Sequence, residues 1–286
     1  MASQVADYEI TSSVVEDRTA PCLRARRPQR LGGGDAPVTI WVLGPLARTS
    51  WAAARARLEP VASVHDDHLP VWLEAGISEW AQRPVVWVSA ATAVAGTLAS
   101  PPPGLDLPAR LRAIASAARG AHALHEHGQL HEAICPQSVA LVAIGSPNQA
   151  TGPEPRGTPD GGTASAVLSP PALANGQAPL AQVGYPPLGY IDPQLLRGEG
   201  GRWSDIWALG ATVHQAVTGS VPFPGLDELP VVQALSRLLS VPAPALGEMP
   251  DAVSEVVAEC LSVDPTDRPA TADEVAERLD EAASKL

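Results

Sequence analysis

Three stretches decide the fold: Ser204-Asp205-Ile206-Trp207-Ala208-Leu209-Gly210, Val217-Thr218-Gly219-Ser220-Val221-Pro222-Phe223, and Cys260-Leu261-Ser262-Val263-Asp264-Pro265-Thr266-Asp267-Arg268-Pro269. The first opens a helical pattern over 203–218, and Gly219 suits its end. Further helical patterns cover 228–239, 251–262 and 271–284. Thr271-Ala272-Asp273-Glu274 has the form of a capping box. Upstream, Leu107, Leu111, Ile114, Ala118, Ala121 and Leu124 recur at three- and four-residue steps, which predicts an amphipathic helix over 107–127. Asp106 and Pro108 suit its start and Gly128 its end. Residues 145–163, rich in Pro and Gly, read as a solvated mobile loop. Before the Pro101-Pro102-Pro103-Gly104 break, residues 1–93 read as short strands with one helix. Val38 to Leu43 and Val85 to Ser89 are β-rich, and Thr49 to about Ser63 is helical. Strands first and helices later predict an α+β chain without internal repeats.

Composition narrows the function classes. The 286 residues are 45% apolar and only 4% aromatic, with abundant Ala and Pro, in the style of actinobacterial proteins. A net charge of −12 argues against nucleic acid and anionic lipid as partners. Cys22, Cys135 and Cys260 are far apart without a CxxC pair, which reads as a reducing cytoplasm without disulfides or zinc. No run of eighteen apolar residues occurs, so no membrane insertion is expected in this segment. Residues 1–11 carry acids and no basic region, so no signal peptide is expected. The chain remains compatible with the cytosolic part of an integral membrane protein.

The quoted stretches resemble landmarks of Ser/Thr protein kinases. The 204–210 segment is close to the D-x-W-x-x-G segment, 217–223 resembles TG-x-x-P-F, and 260–269 matches CL-x-x-D-P-x-x-R-P. His125-Glu126-His127-Gly128-Gln129-Leu130-His131 resembles the end of the long C-lobe helix and the start of the catalytic loop. The resemblance covers the chain from about residue 120 onward. The first hundred residues follow the family by hydrophobic pattern and order alone. It implies a bilobal protein-kinase-like fold, with a small β-rich N-lobe at 1–93 and a large helical C-lobe at 94–286.

The same resemblance shows what has changed. Phosphoryl transfer in kinases places a lysine on the ATP phosphates and acidic residues on Mg²⁺. This chain has one lysine, Lys285. The third-strand lysine aligns with Trp41 in Val38-Thr39-Ile40-Trp41. An indole has one N–H donor and no charge; it either fills the phosphate site or, more simply, lines the core. A glycine-rich loop is missing, the first glycine being Gly32, after Val14 to Arg27. The catalytic loop reads His131-Glu132-Ala133-Ile134-Cys135-Pro136-Gln137-Ser138. The base position is Ala133, which accepts no proton. The lysine position is Cys135, and the metal-binding asparagine is Ser138, a poor Mg²⁺ ligand alone. Ala166 to Ala174 fits the strand before the Asp-Phe-Gly motif, which places Pro170-Pro171-Ala172 in that motif. Asp160, in Asp160-Gly161-Gly162, reads as a turn residue. The arginine before the base is Glu132, and residues 175–190 contain no Ser or Thr. Asp192-Pro193-Gln194 stands for Ala-Pro-Glu, and a neutral Gln194–Arg268 hydrogen bond is expected to replace the ion pair. His131 and Asp205 are expected to be scaffold, Asp205 accepting backbone N–H bonds from the catalytic loop. The reading is a pseudokinase: not an enzyme, with no cofactor and no metal.

Other candidates have simpler readings. His65-Asp66-Asp67-His68 has metal-ligand residue types but reads as a solvated loop. Gly32-Gly33-Gly34 lacks the Gly-Lys-Ser/Thr ending of a phosphate loop and reads as a hairpin. Arg24, Arg26, Arg27 and Arg30 read as a solvated strand edge, or as a contact for an acidic partner. Thr271 is an N-cap and also a candidate phosphoacceptor, since phosphate is favoured at a helix N-terminus. Thr158 and Thr151 are rivals because they lie in the Pro/Gly loop. The chain is also similar to the cytoplasmic pseudokinase domains of the mycobacterial MviN group of MurJ-type lipid II flippases. That resemblance implies phosphorylation by an active Ser/Thr protein kinase, capture by an FHA-domain protein, and control of peptidoglycan precursor export. The alternative is an atypical nucleotide sensor or weak kinase-fold enzyme that uses arginines in place of lysine.

Overall fold

The computed structural model describes residues 4–15, 22–33, 37–45, 50–80, 82–142, 166–171, 187–198, 200–226, 228–240 and 246–286. The 145–163 loop, with Thr151, Thr158 and Asp160, lies outside the described residues, as do Gly34 and Ala172.

The N-terminal part is one antiparallel sheet. Its strands are β1 (Gln4–Val5), β2 (Tyr8–Val15), β3 (Cys22–Arg26), β4 (Pro37–Pro45), β5 (Trp72–Trp80) and β6 (Arg83–Ala90), in the order β1-β2-β3-β4-β6-β5. Successive strand side chains point to opposite faces. Val38, Ile40 and Val42 therefore enter one core with Leu23, Ala25, Val85 and Trp87. Trp41 faces the other way, opposite Cys22 on β3 and Val88 on β6. Polar contacts tie the sheet's two ends together. The Tyr8 hydroxyl donates to Glu74 at 2.7 Å, Arg30 donates to Asp7 and Glu74, and Ala6 N donates to Ser78 Oγ at 3.0 Å.

The expected basic strand edge is thereby corrected. Arg26 pairs with Glu9 at 3.2 Å, Arg30 pairs with Asp7 and Glu74, and Arg24 donates to the Val94 carbonyl at 2.9 Å. Arg26 and Arg30 serve this sheet itself, and Arg24 reaches Val94 outside it. Each carboxylate was visible in the sequence, but not the register that brings it near.

Helix α1 (Trp51–Ala62) starts at Ser50, whose hydroxyl accepts from Ala53 N at 3.1 Å. Ala54 and Leu58, four residues apart on one face, pack on Val86 and Val88 of the sheet. Val61 belongs instead to the core of the helical part. Helix α1 therefore bridges the two parts of the chain.

The C-terminal part is built on α2 (Leu107–Glu126), α3 (Pro193–Leu196), α4 (Arg202–Thr218), α5 (Val231–Ser240), α6 (Asp251–Cys260) and α7 (Ala272–Ser284). A small sheet of β7 (Val94–Thr97), β8 (Val139–Val142) and β9 (Ala166–Leu168) lies against α2. Asp106 caps α2, its carboxylate accepting from Ala109 N at 2.8 Å. The alanines of α2 allow close approach on several sides: α7, β9 and α4 all pack against it. Helix α4 is buried without interruption from Ser204 to His214, as a helix at the centre of a core must be. It meets α6 so closely at Gly210 that a Cβ there would lie 2.4 Å from Cys260 Cβ.

All six long helices expected from periodicity occur, with ends displaced by a few residues. Among the described residues no helix is long and apolar enough to cross a membrane. The architecture mixes sheet and helix, sheet first.

Candidate functional site

The candidate site lies where the sheet meets the helical part, around the 129–138 loop. Asp205, on the first turn of α4, organises that loop. One carboxylate oxygen accepts from His131 N at 2.9 Å and from the His125 ring at 2.9 Å, and the other accepts from Glu132 N at 2.8 Å. Burial raises the Asp205 carboxyl. The His125 hydrogen bond, the electrostatic interactions with the His125 and His131 rings, and the backbone donor outweigh it and hold the group below the ordinary carboxylate range.

His131 is fully buried. Its Nδ1 accepts from Ala133 N at 3.3 Å, so its Nε2 carries the hydrogen and donates to the Ser169 carbonyl at 2.9 Å. Burial pushes this imidazole down to about 4, so it is neutral near pH 7. Ser138 closes the loop, its hydroxyl accepting from Cys135 N at 3.0 Å and donating to the Cys135 carbonyl at 2.9 Å. His131, Asp205 and Ser138 thus form one hydrogen-bonded frame. The frame carries Ala133, whose methyl is 1% exposed and offers no proton acceptor. Pro170 is buried and follows Ser169, whose carbonyl accepts from His131.

Trp41 lies between the two parts and is 6% exposed. It packs in an apolar cluster with Cys22 and Ala90 from the large sheet and Val94, Ala140, Val142 and Val167 from the helical part. Of the two readings left open for Trp41, a core position describes this packing. Burial pushes the Cys22 thiol up to about 12, so it stays protonated near pH 7. Next to Trp41, the Thr39 hydroxyl donates to the Thr92 carbonyl at 2.6 Å and accepts from Val94 N at 3.2 Å. Mg²⁺-ATP needs cations and carboxylates. Trp41, Ala133, Cys135, Ser138 and Pro170 offer neither, so these side chains do not fit that ligand. The lone lysine, Lys285, pairs with Glu281 at 2.7 Å at the far end of α7.

Two groups at the site went unread in the sequence. Arg57 of α1 pairs with Glu132 at 3.2 Å and also donates to the Leu130 carbonyl. Thr39 carried no signal, because a hydroxyl in a β-rich run is ordinary. For Arg57 a signal existed: an arginine four residues before Val61 on a helix with a second buried face.

The expected Gln194–Arg268 bond is corrected. Arg268 pairs with Asp192 instead, Nη1 to Oδ2 at 2.7 Å and Nη2 to Oδ1 at 3.1 Å. Gln194 donates to the Val263 carbonyl at 2.8 Å and accepts from Arg197 at 3.3 Å. A neutral amide cannot compensate a buried guanidinium as a carboxylate can, and Asp192 stands two residues away.

Thr271 is the N-cap of α7, its hydroxyl accepting from Glu274 N at 3.1 Å. Glu274 reaches back to Ala270 N at 2.9 Å, completing the capping box one residue earlier than the usual form. His65 and His68 do not come together on a ligand. The His65 ring bonds the Ser63 carbonyl, and the His68 ring bonds Ser116 Oγ at 2.9 Å.

Residues 194–279 match the family model for protein tyrosine and serine/threonine kinase. Over 186 residues the chain is 29% identical to tyrosine-protein kinase MasK of Myxococcus xanthus, covering 62% of this chain and 26% of that protein. It is 31% identical over 159 residues to the probable serine/threonine-protein kinase PkwA of Thermomonospora curvata, covering 55% of this chain and 19% of that protein. It is 28% identical over 160 residues to serine/threonine-protein kinase PknK of Mycobacterium tuberculosis, covering 55% of this chain and 13% of that protein. The chain therefore spans about a quarter or less of the length of these relatives. These matches correct the expectation that the chain is not an enzyme. The matched family and all three relatives are protein kinases by name, and they point to a protein kinase enzyme. Residues 194–279 are thus similar to the protein kinase family, and the chain has serine/threonine kinase homologues, bacterial ones among them.

Proposed function

We propose that this is a bilobal kinase-like domain, with lobes at 1–93 and 94–286, that works as a phosphorylation-dependent docking module. An active Ser/Thr protein kinase modifies Thr271, and an FHA-domain protein captures the phosphothreonine through arginine and backbone donors. The resemblance to the MviN group supplies the setting: the cytosolic part of a membrane protein, controlling peptidoglycan precursor export. The net charge of −12 disfavours nucleic acid as a partner.

The observation that carries this reading is the place of Thr271. It is partly exposed and caps a helix of 13 residues, so a phosphate there meets backbone N–H groups at the positive end of the helix. Thr158 and Thr151 are the rival acceptors. The test is capture of the kinase-treated chain by an FHA domain, with Thr271→Ala beside it. Loss of capture in Thr271→Ala supports the reading, and retained capture removes Thr271 from it.

The comparisons favour a second reading, a phosphotransferase of the kinase family. In it, arginine takes the place of the missing lysine on phosphate. The discriminating experiment is transfer of labelled phosphate from Mg²⁺-ATP by the purified chain, with a thermal-shift titration beside it. Saturable transfer, together with a melting temperature that rises with nucleotide, supports the second reading.

A further inference from the structure

Helix α1 has two buried faces. Ala54 and Leu58 pack on the large sheet, while Arg57 and Val61, also four residues apart, face the helical part. Val61 makes the apolar contact and Arg57 the polar one. The Arg57 guanidinium holds the 129–138 loop at two points, the Leu130 carbonyl and the Glu132 carboxylate. The two side chains are only 15% and 19% exposed, so solvent screens this pair less than a surface pair. Among the described residues it is the only ion pair that joins residues 1–93 to residues 94–286.

Glu132 is strained. Its φ of 62° is in the left-handed region, which a residue with a Cβ adopts only when its surroundings over-determine it. Two contacts do so here. Glu132 N donates to Asp205 Oδ1 at 2.8 Å, and its side chain is held by Arg57 at 3.2 Å. The left-handed turn allows the backbone N–H to serve α4 while the carboxylate reaches α1.

We infer that Arg57 and Glu132 form a latch that makes α1 and the 129–138 loop move as one unit, so that breaking either charge releases both segments. The latch ties the helix that packs on the large sheet to the loop that carries Ala133. It is independent of Thr271, which lies on α7.

The experiment is hydrogen exchange read by mass spectrometry on the full chain, in a double-mutant cycle. Arg57→Met removes the charge and keeps an apolar stem. Glu132→Gly removes the carboxylate and suits the left-handed backbone, so it is expected to fold. Each variant is expected to speed exchange in both 51–62 and 129–138 on the order of tenfold, and the double variant is expected to add little to either single one. Exchange in 272–284 stays at its wild-type rate. Acceleration confined to the mutated segment, or additive effects in the double variant, would overturn the latch. Should Arg57→Met not fold, Glu132→Gly alone still decides, because unchanged exchange in 51–62 contradicts coupling.

Discussion

Arg268 and Asp192 meet as a bidentate ion pair, at 2.7 and 3.1 Å, with both side chains fully buried. The Asp192 carboxylate also accepts from Gln194 N at 3.0 Å and Ser204 Oγ at 3.1 Å. Arg268 further donates to the Ser262 and Trp203 carbonyls and lies over the Trp207 ring, its guanidinium carbon 5.0 Å from the ring centre. Four segments of the helical part are therefore joined at one charge pair. Removing one partner leaves a buried charge uncompensated, which costs about 3–5 kcal/mol. Asp192→Ala is expected to lose stability of that size in urea denaturation. Gln194→Ala is expected to lose only about 2 kcal/mol, for its two side-chain hydrogen bonds. Equal losses would mean that Gln194 shares the role.

The His131 imidazole makes stability depend on pH. Its folded value is pushed to about 4 by burial, against an ordinary 6.5. Between those values the unfolded chain binds a proton that the folded imidazole refuses. Stability therefore falls as pH drops from about 6.5 towards 4, by up to about 1.4 kcal/mol per pH unit from this group. Asp205, held low, adds its own loss only below the ordinary carboxylate range. Urea midpoints measured at steps from pH 7.5 to 4.5 check the slope. His131→Asn is expected to flatten it while lowering stability at pH 7.5.

Trp41 is buried between the two parts, so Trp41→Ala is expected to cost about 3–5 kcal/mol, the range for a buried large aromatic. The loss is read from urea denaturation. A loss below about 1 kcal/mol would place the indole in a cleft that is open in solution.

Thr271 has two separable roles. Thr271→Ala loses the cap and is expected to cost about 1 kcal/mol, whereas Thr271→Ser keeps the cap at little cost. Thr271→Ala is expected to lose FHA capture, because it removes the hydroxyl that carries the phosphate. Capture that follows stability rather than the hydroxyl would argue against specific recognition.

Local signals were the readable ones. Periodicity placed the long helices, and Ser/Thr/Asp spacing placed the caps at Asp106 and Thr271. The scaffold role of Asp205 was also legible, since the D-x-W-x-x-G stretch resembles a segment that holds a loop. Long-range pairing was not. Arg57 meets Glu132 across 75 residues and Asp192 meets Arg268 across 76, and nothing local records such partners. The Gln194 reading failed for this reason: alignment fixed the position, but a neighbouring carboxylate took over the charge. The 145–163 loop and the threonines in it stay outside the described residues.

On the proposed reading, a phosphothreonine on this domain recruits a partner. The most direct test of that reading is mass-spectrometric phosphosite mapping of the chain after incubation with an active bacterial Ser/Thr kinase, followed by an FHA-domain pull-down. Modification of Thr271, with retention of only the modified chain on the FHA domain, is the expected result. An unmodified Thr271, or a phosphorylated chain that the FHA domain does not retain, would contradict it.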